Sequence, residues 1–504
     1  MKLWSFKGGL PALAEHKNHL SPVAIETAPV PSTLVYPLRQ HIGNPAKPLV
    51  AVGEHVLRGQ KIAEADGFVS APIHASSSGV ISDISEQLFP HPSGLSCQSI
   101  SIKTDGLDQE VKAHSHADFR QLSILELVNI VHDAGIVGLG GAAFPSYIKI
   151  DNHSHDWNIH TLILNGAECE PYISCDNSLL MERAQCVTEG IEILLHMLGA
   201  KKAILAIEDH AELTFAHLTK TLSDHNNEAI QVVQIPTIYP TGGEKQLIQT
   251  LTGREVPSGK IPANIGIVCI NVGTVYAIQQ AVVKGKALTS RVVTVTGDGV
   301  STPKNLEARI GTPISQLIDV CHGYTQQAER LIAGGPMMGF ALSSDEIPLI
   351  KASNCVLVAS KEEVVTHKQA MPCIRCGECA SVCPVSLLPQ QLYWHSRSDQ
   401  LDKAASFNLL DCIECGSCDI ACPSHIPLVQ HFRYAKSMLK AQQHEKQQSD
   451  TARIRFEARE ARIARDKAER AEKSRKKKAA LKSKSVKDDV DTTVAKTTIP
   501  SSEA

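Results

Sequence analysis

Two copies of one cysteine run constrain this 504-residue chain more than any other feature. They are Cys373-x2-Cys376-x2-Cys379-x3-Cys383-Pro384 and Cys412-x2-Cys415-x2-Cys418-x3-Cys422-Pro423. Three thiolates two residues apart can wrap an iron–sulfur cube from a single turn of backbone. The fourth, just before the proline, faces away and reaches the neighbouring cube. That logic assigns Cys373, Cys376, Cys379 and Cys422 to one [4Fe–4S] cluster, and Cys383, Cys412, Cys415 and Cys418 to a second. C-x2-C pairs also build structural zinc sites, but zinc leaves the x3-Cys-Pro unexplained, twice. The spacing predicts two cubane clusters and one-electron chemistry.

The remaining cysteines, Cys97, Cys169, Cys175, Cys186, Cys269, Cys321 and Cys355, are scattered without a disulfide-like framework. Fifteen in total, eight of them in the runs, suits a reducing compartment. The opening MKLWSFKGGLPALAEHK has no apolar core, so no signal peptide is expected. One stretch, Ile265–Val283, is apolar enough to suggest a membrane. Asn271, Gln279, Gln280 and two glycines divide it instead into strand, turn and buried helix. A net charge of −3 gives no reason to expect nucleic acid.

The length fits three to five domains. Residues 1–115 read as short strands broken by Gly53, Gly59, Gly67 and Gly79, and resemble the hammerhead of biotinyl and lipoyl carrier domains. The hairpin tip, Asp66-Gly67-Phe68, lacks the lysine such carriers modify, so a structural or docking role is expected. Residues 120–285 alternate helices with buried strands, which argues a largely parallel α/β sheet. Here Ser123–Gly135 reads as a helix, Thr161–Pro171 as a strand, and the segment from Ser178 to Gly199 as one helix. Residues 286–355 form a β-grasp-like unit, and residues 365–432 a helical two-cluster domain. Residues 433–504 read as a charged helix fading into disorder after about residue 480, with Asp466/Arg470, Glu469/Lys473 and Glu472/Lys476 at supportive spacing. The fold class is therefore multidomain, α/β and α+β.

Cubane clusters take one electron at a time, whereas nicotinamide gives a hydride. A flavin is the usual converter. A cradle for it is sought where glycines let backbone N–H groups approach a phosphate or ring. Gly138-Leu-Gly140-Gly141-Ala142-Ala-Phe144-Pro, with Lys149 close behind, is the candidate loop. Asn165-Gly-Ala-Glu168-Cys-Glu170-Pro closes a buried strand, and Tyr239-Pro-Thr-Gly242-Gly243-Glu244 opens a helix. Asn271-Val-Gly273-Thr274 follows another apolar strand. Together these place Gly, Asn and Glu at successive strand ends, where open α/β sheets bind ligands.

In that order, these motifs resemble the NADH- and FMN-binding subunit of respiratory complex I. Leu139, Ala143, Ala167 and Gly243 stand where that family has an arginine, a glycine, an acidic residue and a glutamate. The full domain order, with two clusters rather than one, resembles the C subunit of the Rnf/Rsx ion-translocating electron transport complex over residues 1 to about 435. The resemblance implies non-covalent FMN held by Gly138, Gly140, Gly141, Ala142, Phe144, Lys149, Asn165, Gly242, Asn271 and Thr274. It implies that Glu168, Glu170 and Glu244 orient nicotinamide or flavin edges, with NAD(H) as substrate. It further implies a peripheral protein on the cytoplasmic face of a bacterial inner membrane. Integral and peripheral subunits of the same complex would be its partners, with membrane contact indirect and no catalytic acid or base. The four departures motivate a rival reading, an iron–sulfur relay adaptor without nucleotide chemistry of its own.

Overall fold

The computed structural model describes residues 2–11, 24–116, 118–151, 157–224, 228–364 and 369–494. Part of the stretch read for a signal peptide and the start of the expected cluster domain at 365 lie outside these. One compact unit runs to Phe432, and Arg433–Ala504 form a second.

The first domain packs two antiparallel sheets face to face. One is ordered Thr33–Pro37, Ser96–Thr104, Gly79–Leu88, His55–Val56, the other Lys47–Pro48, Lys61–Glu64, Ile73–His74. Alternate residues point inward, as the strand period of two dictates, and Leu34, Tyr36, Ile62, Ile73, Ile81, Ile100 and Ile102 are fully buried. The tip is engaged on both sides. Asp66 pairs with Lys47 at 2.8 Å, and the Phe68 carbonyl accepts from the Tyr147 hydroxyl of the next domain.

That next domain has a four-stranded parallel sheet ordered Ile230–Ile235, Lys202–Glu208, Thr161–Gly166, Ile267–Asn271. Leu162, Ile163, Leu164, Ala206 and Ile207 are buried because helices cover the sheet on both faces. The expected helix 124–133 is present, with Ser123 and Glu126 forming a reciprocal capping box. The strand expected to reach Pro171 stops at Gly166. The single helix expected over 178–199 is two, Cys175–Glu182 and Ala184–Leu198. They break at Arg183, whose guanidinium donates to the Tyr276 hydroxyl at 2.7 Å and to Glu307 at 3.0 Å.

The β-grasp-like unit extends beyond its expected limits of 286 and 355. Its six-stranded sheet takes in Ile25–Thr27, parallel to Lys304–Arg309, and Cys355–Ser360, set between Ser290–Thr296 and Ala328–Ala333. Cys355–Ser360 is buried along its whole length, as an apolar central strand must be. In the cluster domain the two cysteine runs fold alike. Gly377 and Gly416 take φ of 87° and 79°, Arg375 and Glu414 take 59° and 58°, and the short helices Glu378–Ser381 and Ser417–Ile420 follow. Helices Pro389–Arg397 and Leu401–Ser406 connect the halves.

The last helix runs from Leu428 to Val494, which corrects the expectation of fading after residue 480. No glycine or proline interrupts it, and Glu472 and Lys476 pair at 2.7 Å on its surface. Residues 495–504, part of the expected disordered tail, lie outside the described residues. Among the described residues no helix is long and apolar enough to cross a membrane.

Three domains meet at one buried lysine that sequence reasoning missed. Lys351, fully buried, donates from Nζ to the Pro72 carbonyl at 2.6 Å and the Gly135 carbonyl at 2.7 Å. Gly135 has φ of +70°, and a Cβ there would lie 2.5 Å from the Pro72 carbonyl oxygen. Burial drives the Lys351 ammonium down to about 7. The unfolded chain binds its proton more tightly than the folded one, so stability rises as pH climbs above that value. In Lys351→Met this contribution disappears. The unfolding free-energy difference between wild type and variant, from urea titrations, is expected to grow in favour of wild type from pH 7 to 9, by at most about 1.4 kcal/mol per pH unit. A pH-independent difference would show that the amine carries no such linkage.

Candidate flavin and cluster sites

The Gly-rich loop closes on itself, because Gly138 N–H donates to the Phe144 carbonyl at 2.8 Å and Ala143 N–H to the Gly138 carbonyl at 3.1 Å. Its base is pinned from three directions. Leu139 N–H donates to Thr274 Oγ1 at 2.9 Å, the Leu139 carbonyl accepts from Arg291 at 3.0 Å, and the Ala143 carbonyl accepts from Ile42 N–H at 3.2 Å. Gly140, Gly141 and Ala142 are left at the crest, with Gly140 and Gly141 exposed. A Cβ on Gly140 would come 3.3 Å from Asn271, whereas one on Gly141, at φ +103°, would project into open space. This is the combination of fixed backbone and free approach that a phosphate or planar ring needs. Leu139, in place of the resembled family's arginine, buries its side chain in the core. Ala143 holds φ of 47°, which accounts for a glycine being favoured there.

Asn165 and Asn271 stand directly opposite each other at the ends of adjacent strands. Asn271 caps the helix Val272–Lys284, its Oδ1 accepting from Gly273 N–H at 2.9 Å and Thr274 N–H at 3.4 Å. Its Nδ2 donates to Asp176 at 2.5 Å. Asn165 Nδ2 donates to the Gly242 carbonyl at 2.8 Å, which ties the second Gly-rich turn to the sheet. Helix Glu244–Thr252 starts beside it with no side-chain cap, so its first N–H groups remain available to an anion. Lys149 reaches the same region and contacts Glu244 at 2.5 Å and the Cys269 carbonyl at 3.3 Å. Burial works against the Lys149 charge, but Glu244 and Cys269 outweigh it and hold the ammonium above its ordinary range. The structure thus brings Gly138, Gly140, Gly141, Ala142, Phe144, Lys149, Asn165, Gly242, Glu244, Asn271 and Thr274 to one end of the sheet.

Two of the expected residues also bond backbone. Both oxygens of Glu168 accept from backbone, from Asp176 N–H and Asn177 N–H at 2.9 Å each, which caps the helix Cys175–Glu182. Glu170 accepts from Met337 N–H at 3.0 Å and Met338 N–H at 2.8 Å, which clamps a loop of the β-grasp-like unit. Sequence reasoning missed Asp176 and Arg291. Burial pushes the Asp176 carboxyl up to about 6, against the pull of Asn271 and Arg291. Arg291 lies in a different domain from the loop it holds, and no local spacing signals it.

The eight cluster cysteines gather in two sets. The Cys418 thiol is pushed up by burial, then by Asp419, Cys415, Cys412 and Cys383. The Cys379 thiol is pushed up by burial and by Cys376, Cys422 and Cys373. In each set three thiols of one run meet the fourth of the other. Cys383, Cys412, Cys415 and Cys418 line a small cavity walled by Leu387, Leu392, Ile413, Val429 and Phe432. Backbone amides already point at sulfur there, Leu387 N–H at Cys383 Sγ (3.3 Å) and Glu414 N–H at Cys412 Sγ (3.4 Å). An apolar four-thiol pocket with amide donors fits an iron–sulfur cube, since hydrogen bonds to sulfur and solvent exclusion tune such clusters.

Four segments match known families: residues 4–107 the RnfC barrel sandwich hybrid domain, 131–280 the Nuo51 FMN-binding domain, 292–341 the SLBB domain, and 372–426 the 4Fe-4S dicluster domain. The chain is 47% identical over 461 residues to the C subunit of the ion-translocating oxidoreductase complex of Pseudomonas aeruginosa, covering 92% of this chain and 59% of that protein. With the protein of the same name from Yersinia pestis bv. Antiqua (strain Antiqua) it shares 44% identity over 462 residues, 92% of this chain and 74% of that protein. It spans 57–65% of the length of the relatives from Pseudomonas aeruginosa, Serratia proteamaculans and Edwardsiella ictaluri. A solved NAD+-reducing [NiFe]-hydrogenase in the H2-reduced state is similar at a TM-score of 0.46 and 18% identity, over 62% of each chain, too slight a likeness to carry an argument.

The crest of the Gly-rich loop offers a direct test. Gly141→Asp adds a carboxylate in the open space above it and strains a positive φ, so bound flavin is expected to be lost while iron content is unchanged. The checks are flavin fluorescence after denaturation and iron analysis of the same sample. Full flavin retention would place the flavin site elsewhere.

Proposed function

The chain belongs to the C-subunit family of ion-translocating oxidoreductase complexes, and from that premise we propose that it passes electrons between NAD(H), non-covalently bound FMN and two [4Fe–4S] clusters to other subunits. The observation that carries this reading is the pinned Gly-rich loop. Its crest of Gly140, Gly141 and Ala142 lies beside Asn271 and Thr274, at the sheet end that also presents Asn165, Gly242, Glu244 and Lys149.

When bound, FMN supplies the conversion of a two-electron hydride into single electrons. The chain's own residues do the rest. Backbone at the crest, Gly140, Gly141 and Ala142, and the start of the Glu244–Thr252 helix would receive the anionic and ring portions. Lys149 supplies positive charge, and Asn271 and Thr274 fix the loop rather than react. Hydride transfer relies on such positioning, so no acid or base residue is assigned. Among the described residues no helix can cross a membrane. Attachment to the cytoplasmic side of a bacterial inner membrane is therefore assigned to contacts with integral and peripheral partner subunits, not to a span within the described residues.

Anaerobically purified protein is expected to contain about eight iron and eight sulfide per chain, the stoichiometry of two cubes. It is also expected to show flavin absorbance that NADH bleaches together with the broad cluster band. Flavin-free protein with both clusters loaded would favour the relay-adaptor reading. Bound zinc in place of iron would overturn the cluster assignment.

A further inference from the structure

A cavity of about 320 Å³ lies between the first domain, the parallel-sheet domain and the β-grasp-like unit. That is the lower end of the range for small-molecule sites. Arg58 and Glu110 reach it from the first domain, Arg183 and Tyr276 from the second, Arg291 and Glu307 from the third. Leu139, Asp176 and Gly273 also line it, whereas the crest residues Gly140, Gly141 and Ala142 do not. It is therefore a separate space from the one above the Gly-rich loop.

Five cations line this cavity, and three of them are already matched. Arg58 pairs with Asp108 at 2.6 Å and Glu110 at 2.7 Å, Arg309 with Asp108 at 2.7 Å, and Arg183 with Glu307 at 3.0 Å. The other two are Arg291 and Lys286. Arg291 is 6% exposed, and its guanidinium donates to the carbonyls of Val292, Lys351 and Leu139. Those partners carry no charge, and a guanidinium cannot shed its proton. Asp176, a carboxylate that also lines the cavity, accepts from the Asn271 amide instead. Lys286 is exposed at the cavity edge and makes no ion pair among the described residues. Arg58 keeps its Nε buried without a hydrogen-bond partner. Buried charge is stable only where opposite charge or hydrogen bonds meet it, so the lining is short of an anion.

We propose that this cavity binds a small organic anion through phosphate or carboxylate oxygens, with Arg291 at its inner wall and Lys286 at its mouth. Planar guanidinium forks match both kinds of oxyanion. The Tyr276 ring, the Gln280 amide and the Thr289 and Ser290 hydroxyls suit the remainder of a polar metabolite. Occupancy also reaches the Gly-rich loop, because Arg291 holds the Leu139 carbonyl at 3.0 Å and Asp176 holds the amide of Asn271. The cavity thus couples a bound anion to the loop without sharing its crest.

Calorimetric titration of the full-length protein with sodium pyrophosphate and, in a separate arm, sodium citrate reads the site. Saturable binding is expected in at least one arm, pyrophosphate marking a phosphate ligand and citrate a carboxylate one. Lys286→Glu reverses the charge at the exposed mouth. Affinity is expected to fall at least about tenfold in that variant, with flavin and iron content unchanged. No binding in either arm, unchanged affinity in Lys286→Glu, or a signal reproduced by sodium chloride at equal ionic strength would overturn the assignment.

Two further readouts fix the location. Gly141→Asp alters the crest alone and is expected to bind the anion as wild type does. Loss of anion binding in that variant would put the anion on the Gly-rich loop instead. Hydrogen exchange of wild type is expected to slow at residues 286–291 when the anion is added, and no change there would contradict the site.

Discussion

The backbone of Leu139 is the joint on which the candidate flavin site depends. Its N–H is taken by Thr274 and its carbonyl by Arg291, so one residue of the Gly-rich loop is tied both to a helix of its own domain and to the β-grasp-like unit. Ile42 of the first domain adds a third tie through Ala143. Glycines make a loop adaptable but also costly to order. These three bonds supply the order from outside, leaving the crest free for a ligand. Asp176 belongs to the same arrangement, because it holds the amide of Asn271, which in turn caps the helix that carries Thr274.

How much of this was legible beforehand depends on how local the signal was. The cysteine runs could be read because ligand spacing is a property of a few consecutive residues, and the fold repeats the same backbone turn at both. The strands at 161 and 267 could be read because parallel strands buried on both faces are continuous apolar runs. Motif order put Asn165 and Asn271 at strand ends, and the structure makes those strands neighbours. Arg291 and Lys351 were illegible because each acts on backbone carbonyls of distant segments, which leaves no pattern in sequence. The backbone partners of Glu168 and Glu170 were illegible for a related reason. A carboxylate beside a strand end looks the same whether it meets a ligand or an orphan amide at a helix start.

The C-terminal helix shows the converse. A charged helix was expected to fade after about residue 480, yet a run free of glycine and proline and rich in good helix formers continues helical to Val494. Local propensity outweighed the lack of an apolar stripe. Lys351 shows a different trade: a buried cation with no carboxylate partner among the described residues has its hydrogen bonds met by two carbonyls from two other domains, and burial lowers its proton affinity.

The strand Ile25–Thr27 has a consequence for how the protein is made. It pairs with Lys304–Arg309, in the same sheet whose central strand is Cys355–Ser360. A nascent chain must therefore leave the ribosome through Ser360 before its own first strand finds a complete sheet to join. Such long-range closure is slow, and unpaired edges remain open meanwhile to wrong partners. Both cysteine runs follow Ser360 in sequence. Synthesis thus delivers the oxygen-sensitive ligands only after the residues needed to finish the scaffold beneath them, an order of biogenesis written into strand order.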